Sequence, residues 1–85
     1  MKWELVGKSQ ERLVKDASGN FTGRSYCLAS FTNGDEKEGY HGLRVRNEYI
    51  SSVVIPYDDL LIGEQYVIGT ENRQGKIFVT DCEKV

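Results

Sequence analysis

The stretch from Glu64 to Val85 constrains the fold more than any other part of the chain. It reads as two strands joined by a turn. Tyr66-Val67-Ile68 lies on one strand, Ile77-Phe78-Val79 on the other, and Asn72-Arg73-Gln74-Gly75 between them. Asn at the start and Gly at the end suit a type I turn followed by a bulged Gly. A strand with one wet face alternates apolar and polar residues. Both of these strands carry three apolar residues in a row, so both faces of the hairpin need cover from the rest of the chain or from a partner. A three-residue loop, Arg73-Gln74-Gly75, sets Asn72 opposite Lys76, Thr70 opposite Phe78, Ile68 opposite Thr80 and Tyr66 opposite Cys82. A two-residue loop at Arg73-Gln74 sets Phe78 opposite Gly69, because a slip of one residue turns a strand over. The Asn and Gly positions favour the first register.

The composition agrees with an all-β chain. Val, Ile and Thr number 17, against two Ala, in a chain of 85 residues. β-Branched side chains suit a pleated surface, and Ala is the best helix former. Leu, Ile, Val and Phe make up 22 of the 85 residues, enough for a small core and above the level expected of disorder. The length fits one domain, residues 1–85.

Upstream of the hairpin, Trp3 to Val14 reads as one extended strand bent at Gly7, since an isolated Gly in a strand pattern marks a bulge or bend. A short helix capped by Ser9 is the competing reading. Lys15 to Asn20 reads as a hairpin turn and Phe21 to Phe31 as the next strand. Arg24, Tyr26 and Leu28 fall on one of its faces, with Ser25, Cys27, Ala29 and Phe31 on the other. Thr32 to Gly39 reads as a polar loop. Tyr40 to Asn47 alternates cleanly, with Leu43 and Val45 toward the core and Tyr40, Arg44 and Arg46 toward solvent. Val53-Val54-Ile55 reads as a short apolar strand ended by Pro56. Tyr57 to Ile62 fits a single helical turn stopped by Gly63, with Leu60, Leu61 and Ile62 as a plug.

Five or six short strands with turns between them predict a small antiparallel barrel. The bent first strand, the plug and the final hairpin resemble an OB-type layout, with an SH3-like barrel as the nearest competitor. The resemblance is one of layout alone.

The formal charge is −2 and the pI about 5.3, so the molecule as a whole exerts no electrostatic pull on nucleic acid or anionic lipid. Met1-Lys2-Trp3-Glu4 leads into a strand-like run, not into an apolar segment with a cleavage site, and no apolar run has the length of a membrane span. The expectation is a cytoplasmic protein without membrane contact. Cys27 and Cys82 then read as small buried hydrophobes in a reducing compartment.

Catalysis finds little support. The single His, His41, has no nucleophile in a recognisable context, and Asp58 and Asp59 serve the start of a helical turn better than they share a proton. Phosphate-cradling glycine motifs are absent. Cys27, Cys82 and His41 lie one per distant segment, which does not suit zinc, and Asp35-Glu36-Glu38 lacks the spacing of a calcium loop. The expectation is no enzyme, no catalytic residue, no metal and no cofactor.

Single-stranded DNA or RNA is the sharper expectation. Such ligands are held by aromatic platforms for bases and cations for phosphates. Tyr26 and Tyr40 are the candidate platforms. Arg24, Arg44, Arg46, Arg73 and Lys76 are the candidate phosphate contacts, with Arg73 and Lys76 at the hairpin tip. The alternative is a protein-binding or self-assembling module that uses a sheet edge, at Val53 to Ile55 or at the last strand, or the apolar hairpin face.

Overall fold

The computed structural model describes residues 1–35 and 38–85, so Glu36 and Lys37 of the expected polar loop lie outside the described residues. Among the described residues six strands form one antiparallel sheet: β1 (Trp3–Lys8), β2 (Arg12–Lys15), β3 (Phe21–Asn33), β4 (Arg44–Ser51), β5 (Gln65–Arg73) and β6 (Lys76–Lys84). Among the described residues a single 3₁₀ turn spans Tyr57–Asp59. No helix among the described residues is long and apolar enough to cross a membrane.

The first two strands are the bent strand expected from the sequence. The pairing of β1 with β3 slips between Leu5 and Gly7, where a glycine tolerates the bulge. The chain then leaves the ladder at 9–11 and rejoins it as β2. Ser9 holds this break: its N–H donates to the Leu28 carbonyl at 2.8 Å, and its Oγ accepts the Leu28 N–H at 2.8 Å. The following turn is closed by Asp16, whose Oδ1 accepts the N–H groups of Ser18 and Asn20, each at 2.9 Å. The long β3 pairs with β2 along its first half and β1 along its second, and its other edge is paired with β4 from Tyr26 to Asn33. β5 pairs with β1, and β6 with β5.

The core lies on one face of the curled sheet. Leu5, Cys27, Ala29, Phe31, Ile50, Leu60 and Tyr66 are buried there, with Trp3 and Cys82 at its margin. The Phe31 and Tyr66 rings meet edge to face at 6.3 Å. The 3₁₀ turn covers one end. Its Tyr57 hydroxyl donates to the Ser9 carbonyl, and Lys8 Nζ lies 3.8 Å from the Tyr57 ring centre and donates to the Tyr57 carbonyl.

Several expectations are corrected. Val53 to Ile55 is a turn, with the Val54 and Ile55 N–H groups donating to the Ser51 carbonyl, so no edge strand exists there. Leu60 alone is the plug, since Leu61 and Ile62 are exposed. The fourth strand begins at Arg44 and runs to Ser51, and its facing is the reverse of the expected one. Phe31 is paired with Arg46, and Cys27 with Ile50. Directly opposed residues share a face. Arg44, Arg46, Glu48 and Ile50 therefore take the core side, while Leu43 and Val45 are 60% and 66% exposed. Ile50 decides this orientation, because it and Val45 fall on opposite faces and only one of them can be buried.

The hairpin register also differs from both sequence alternatives. Arg73 pairs with Lys76, Glu71 with Phe78 and Thr70 with Val79, after which the register slips and Ile68 meets Cys82. The loop is Gln74-Gly75, at φ of 52° and 81°, two positive values in succession as a type I′ turn requires. Asn72 stays in the strand, and its Oδ1 accepts the Gly75 N–H at 3.1 Å. The sheet curls until β4 and β6 come near, but no ladder joins them and the barrel is not closed.

Candidate functional site

Where the edges of β4 and β6 approach, they leave an open groove of about 530 Å³. Its walls are Tyr26, Asn47, Glu48, Tyr49 and Ser51 on one side and Ile77, Phe78 and Val79 on the other, so the one charged residue that lines it is acidic. Tyr26 and Tyr49 sit on the face of the sheet away from the core. They meet edge to face at 6.1 Å, because Leu28 is paired with Tyr49 and Tyr26 with Ser51. Tyr26, Tyr49 and Phe78 are 37%, 68% and 44% exposed. Three aromatic side chains from three strands thus line one open groove.

Cations neighbour Tyr26 and Phe78 in the sheet. Arg24 is exposed on β3, two residues from Tyr26, and Arg12 of β2 is paired with Tyr26. At the hairpin tip the Arg73 guanidinium lies 5.6 Å from the Phe78 ring centre, and Lys76 is its cross-strand neighbour. Arg73 Nη2 also donates to Glu71 Oε2 at 2.9 Å, and this bond holds the exposed Glu71 carboxyl below its ordinary range.

The remaining candidates lie elsewhere. Arg44 and Arg46 project from the core side of β4, with their guanidinium carbons 5.9 and 5.3 Å from the Trp3 ring centre. Arg44 Nη2 donates to Asn33 Oδ1 at 3.0 Å, and Arg46 Nε pairs with Glu48 Oε1 at 2.9 Å. Their guanidinium groups stand over the Trp3 ring while Arg44 Nη2 and Arg46 Nε hold polar partners, and Arg44 Nε is buried without one. Tyr40 lies in the loop before β4, and its hydroxyl donates to the Leu43 carbonyl at 3.1 Å. With His41 it borders a separate shallow depression formed with Gly34, Asp35, Gly42 and Leu43. Of the expected site residues, Tyr26 lines the groove and Arg73 stands over the Phe78 ring, Arg24 and Lys76 are strand neighbours of those two rings, and Tyr40, Arg44 and Arg46 lie outside the groove.

Tyr49 and Arg12 have no place in the sequence expectations, and Phe78 joins the site there only if the hairpin register turns it outward, which the observed register does. Choosing Ile50 over Val45 as the buried residue of β4 would have put Tyr49 on the outer face. Nothing local in the sequence brings Phe78 beside it, because that proximity comes from the curl of the whole sheet. No protein-family model, no curated protein and no solved structure matches the chain.

The two thiols lie inside the core. Both cysteines are free and buried. Burial raises both thiols, and the neighbouring Cys27 adds to the rise at Cys82, which is pushed from 9.0 to about 11. A thiol kept protonated in this way is a poor nucleophile at neutral pH.

Proposed function

We propose that this chain is a small, non-enzymatic module of OB-like layout that binds single-stranded nucleic acid in the groove between β4 and β6. The observation that carries this reading is the set of three exposed rings, Tyr26, Tyr49 and Phe78, on one open groove, with Arg73 over the Phe78 ring. Bases stack on such rings with little regard to sequence, each worth about 1–3 kcal/mol. The pairing scheme supports the layout: a bent first strand is shared between β3 and β5, a meander leads through β3 to β4, and the closing hairpin returns toward β4. In OB folds, the face of the second and third strands and the loops beside it take oligonucleotides. The corresponding parts here are β3 and β4, the turn at 16–20 and the tip at 74–75. Tyr26, Tyr49 and Phe78 are assigned to base stacking, and Arg12, Arg24, Arg73 and Lys76 to phosphates. Arg44 and Arg46, engaged with Trp3, Asn33 and Glu48, are assigned to the scaffold.

A titration of isotope-labelled protein with a short oligothymidylate tests this. Amide shifts are expected at Tyr26, Tyr49 and Ile77 to Val79. The affinity should fall with salt, with a log–log slope no steeper than about −3, the value for four phosphate contacts on a single strand. Absence of shifts at millimolar oligonucleotide would overturn the reading.

A further inference from the structure

One residue of the groove does not suit a nucleic-acid backbone. Among the described residues that line it, Glu48 alone is charged. A carboxylate repels phosphates, so a strand laid in the groove turns its phosphates away from Glu48 and a base toward it. What Glu48 meets is then the edge of a base.

The carboxylate is fixed in place and only half engaged. Its Oε1 accepts the Arg46 Nε–H at 2.9 Å, and the side chain is 20% exposed. Among the described residues no hydrogen bond engages Oε2. The one buried polar side-chain atom without a partner is Arg44 Nε, so Oε2 is open to solvent. Oε1 also keeps a lone pair for a second donor. The Arg46 guanidinium balances the charge, so a neutral base can cover the carboxylate without leaving it uncompensated.

The bases offer this acceptor different edges. Guanine sets two donors side by side, N1–H and the 2-amino group, and these fit the two oxygens of one carboxylate as a fork. Adenine and cytosine set one amino group beside a ring nitrogen that is itself an acceptor. Thymine and uracil set one N–H between two carbonyls. In each of these a lone pair faces the second carboxylate oxygen. In a single strand the edges are unpaired and open to reading.

We propose that Glu48 selects guanine at one position of the bound strand, accepting its N1–H and 2-amino donors, while Tyr26, Tyr49 and Phe78 stack on bases without preference. This rests on the nucleic-acid reading of the groove and adds a specificity to it.

The test is a fluorescence-anisotropy comparison of thymidylate pentamers whose central base is thymine, guanine, adenine or hypoxanthine. Adenine is the control for purine stacking. Guanine is expected to bind about 5- to 150-fold tighter than adenine, the range for one good bidentate base contact. Hypoxanthine keeps N1–H and lacks the 2-amino group, so it should fall between them. Glu48→Gln has one acceptor oxygen in place of two, and should bring guanine close to adenine. Equal affinities of the wild type for guanine and adenine overturn the proposal. So does a guanine preference that neither hypoxanthine nor Glu48→Gln reduces, and the hypoxanthine comparison needs no variant to fold. If no pentamer binds, the reading of the groove falls as well. If the all-thymine pentamer binds and guanine gains nothing, the groove reading stands and the role of Glu48 alone falls.

Discussion

The Tyr66 hydroxyl is enclosed by the chain around the 3₁₀ turn. It donates to the Asp59 carbonyl at 2.8 Å and accepts the Leu61 N–H at 2.7 Å. Tyr66→Phe keeps the ring and removes both bonds, so unfolding free energy measured in urea should fall by about 1–2 kcal/mol. Burial also sets the response to alkali. Cys82 titrates near 11 in the folded chain against 9.0 otherwise, and Cys27 and Tyr66 are raised as well. A group whose folded value is raised contributes stability that is full below the unfolded value and lost as pH rises through the folded one. Stability should therefore hold up to pH 9 and fall between 9 and 11, with Cys82 accounting for about 2 kcal/mol of the loss. Denaturant titrations at pH 8 and pH 11 check this. Cys82→Ala should flatten the fall but not abolish it, since Cys27 and Tyr66 still titrate in the same direction.

At the scale of elements, the closing hairpin divides in two. Its base is covered, because Tyr66, Ile68 and Cys82 pack into or against the core. Its distal half is not: residues 70–78 are exposed, with Ile77 and Phe78 at 64% and 44%. A two-stranded ribbon is marginal alone in water, so its turn carries weight. Gln74 holds a positive φ that favours Asn or Gly. Gln74→Asn, which makes an Asn-Gly turn, should raise stability by about 0.5–1 kcal/mol, and Gly75→Val should lower it by about 1–2 kcal/mol, both read by thermal unfolding. The turn itself was legible in Asn72 and Gly75. The loop length was not, because Asn72 caps the turn from within the strand. The bend at Gly7 was legible because a residue without a side chain interrupts an apolar run.

The molecule as a whole is extended, 50 × 31 × 18 Å, with a radius of gyration of 14.3 Å. A compact chain of this length would have about 12 Å. The distal parts of two hairpins, 15–24 and 70–78, are exposed throughout, and the second forms one wall of the groove. Ligand binding and stability should therefore separate by face. Tyr49→Ala and Phe78→Ala should each weaken oligonucleotide binding by about 5- to 150-fold with little change in melting temperature. Arg46→Ala should leave binding nearly unchanged and lower the melting temperature, because it uncovers Trp3 and leaves the half-buried Glu48 unpaired. Binding isotherms and melting curves on the same three variants decide between the two roles.

Local chemistry by itself determined the all-β class, the bent first strand, the turns at 16–20 and 72–75 and a helical turn after Pro56, which is 3₁₀ over Tyr57–Asp59. Each follows from residues adjacent in sequence or from a two-residue period. The tertiary structure decided which face of β4 is buried, the slip in the last hairpin, and the meeting of Tyr26, Tyr49 and Phe78. β4 alternates whichever face it buries, so only its pairing with β3 settles which. Cys27, Ala29 and Phe31 commit β3 to the core, and Ile50 must follow. The groove depends on how far the sheet curls, a property of all six strands together that no single segment encodes.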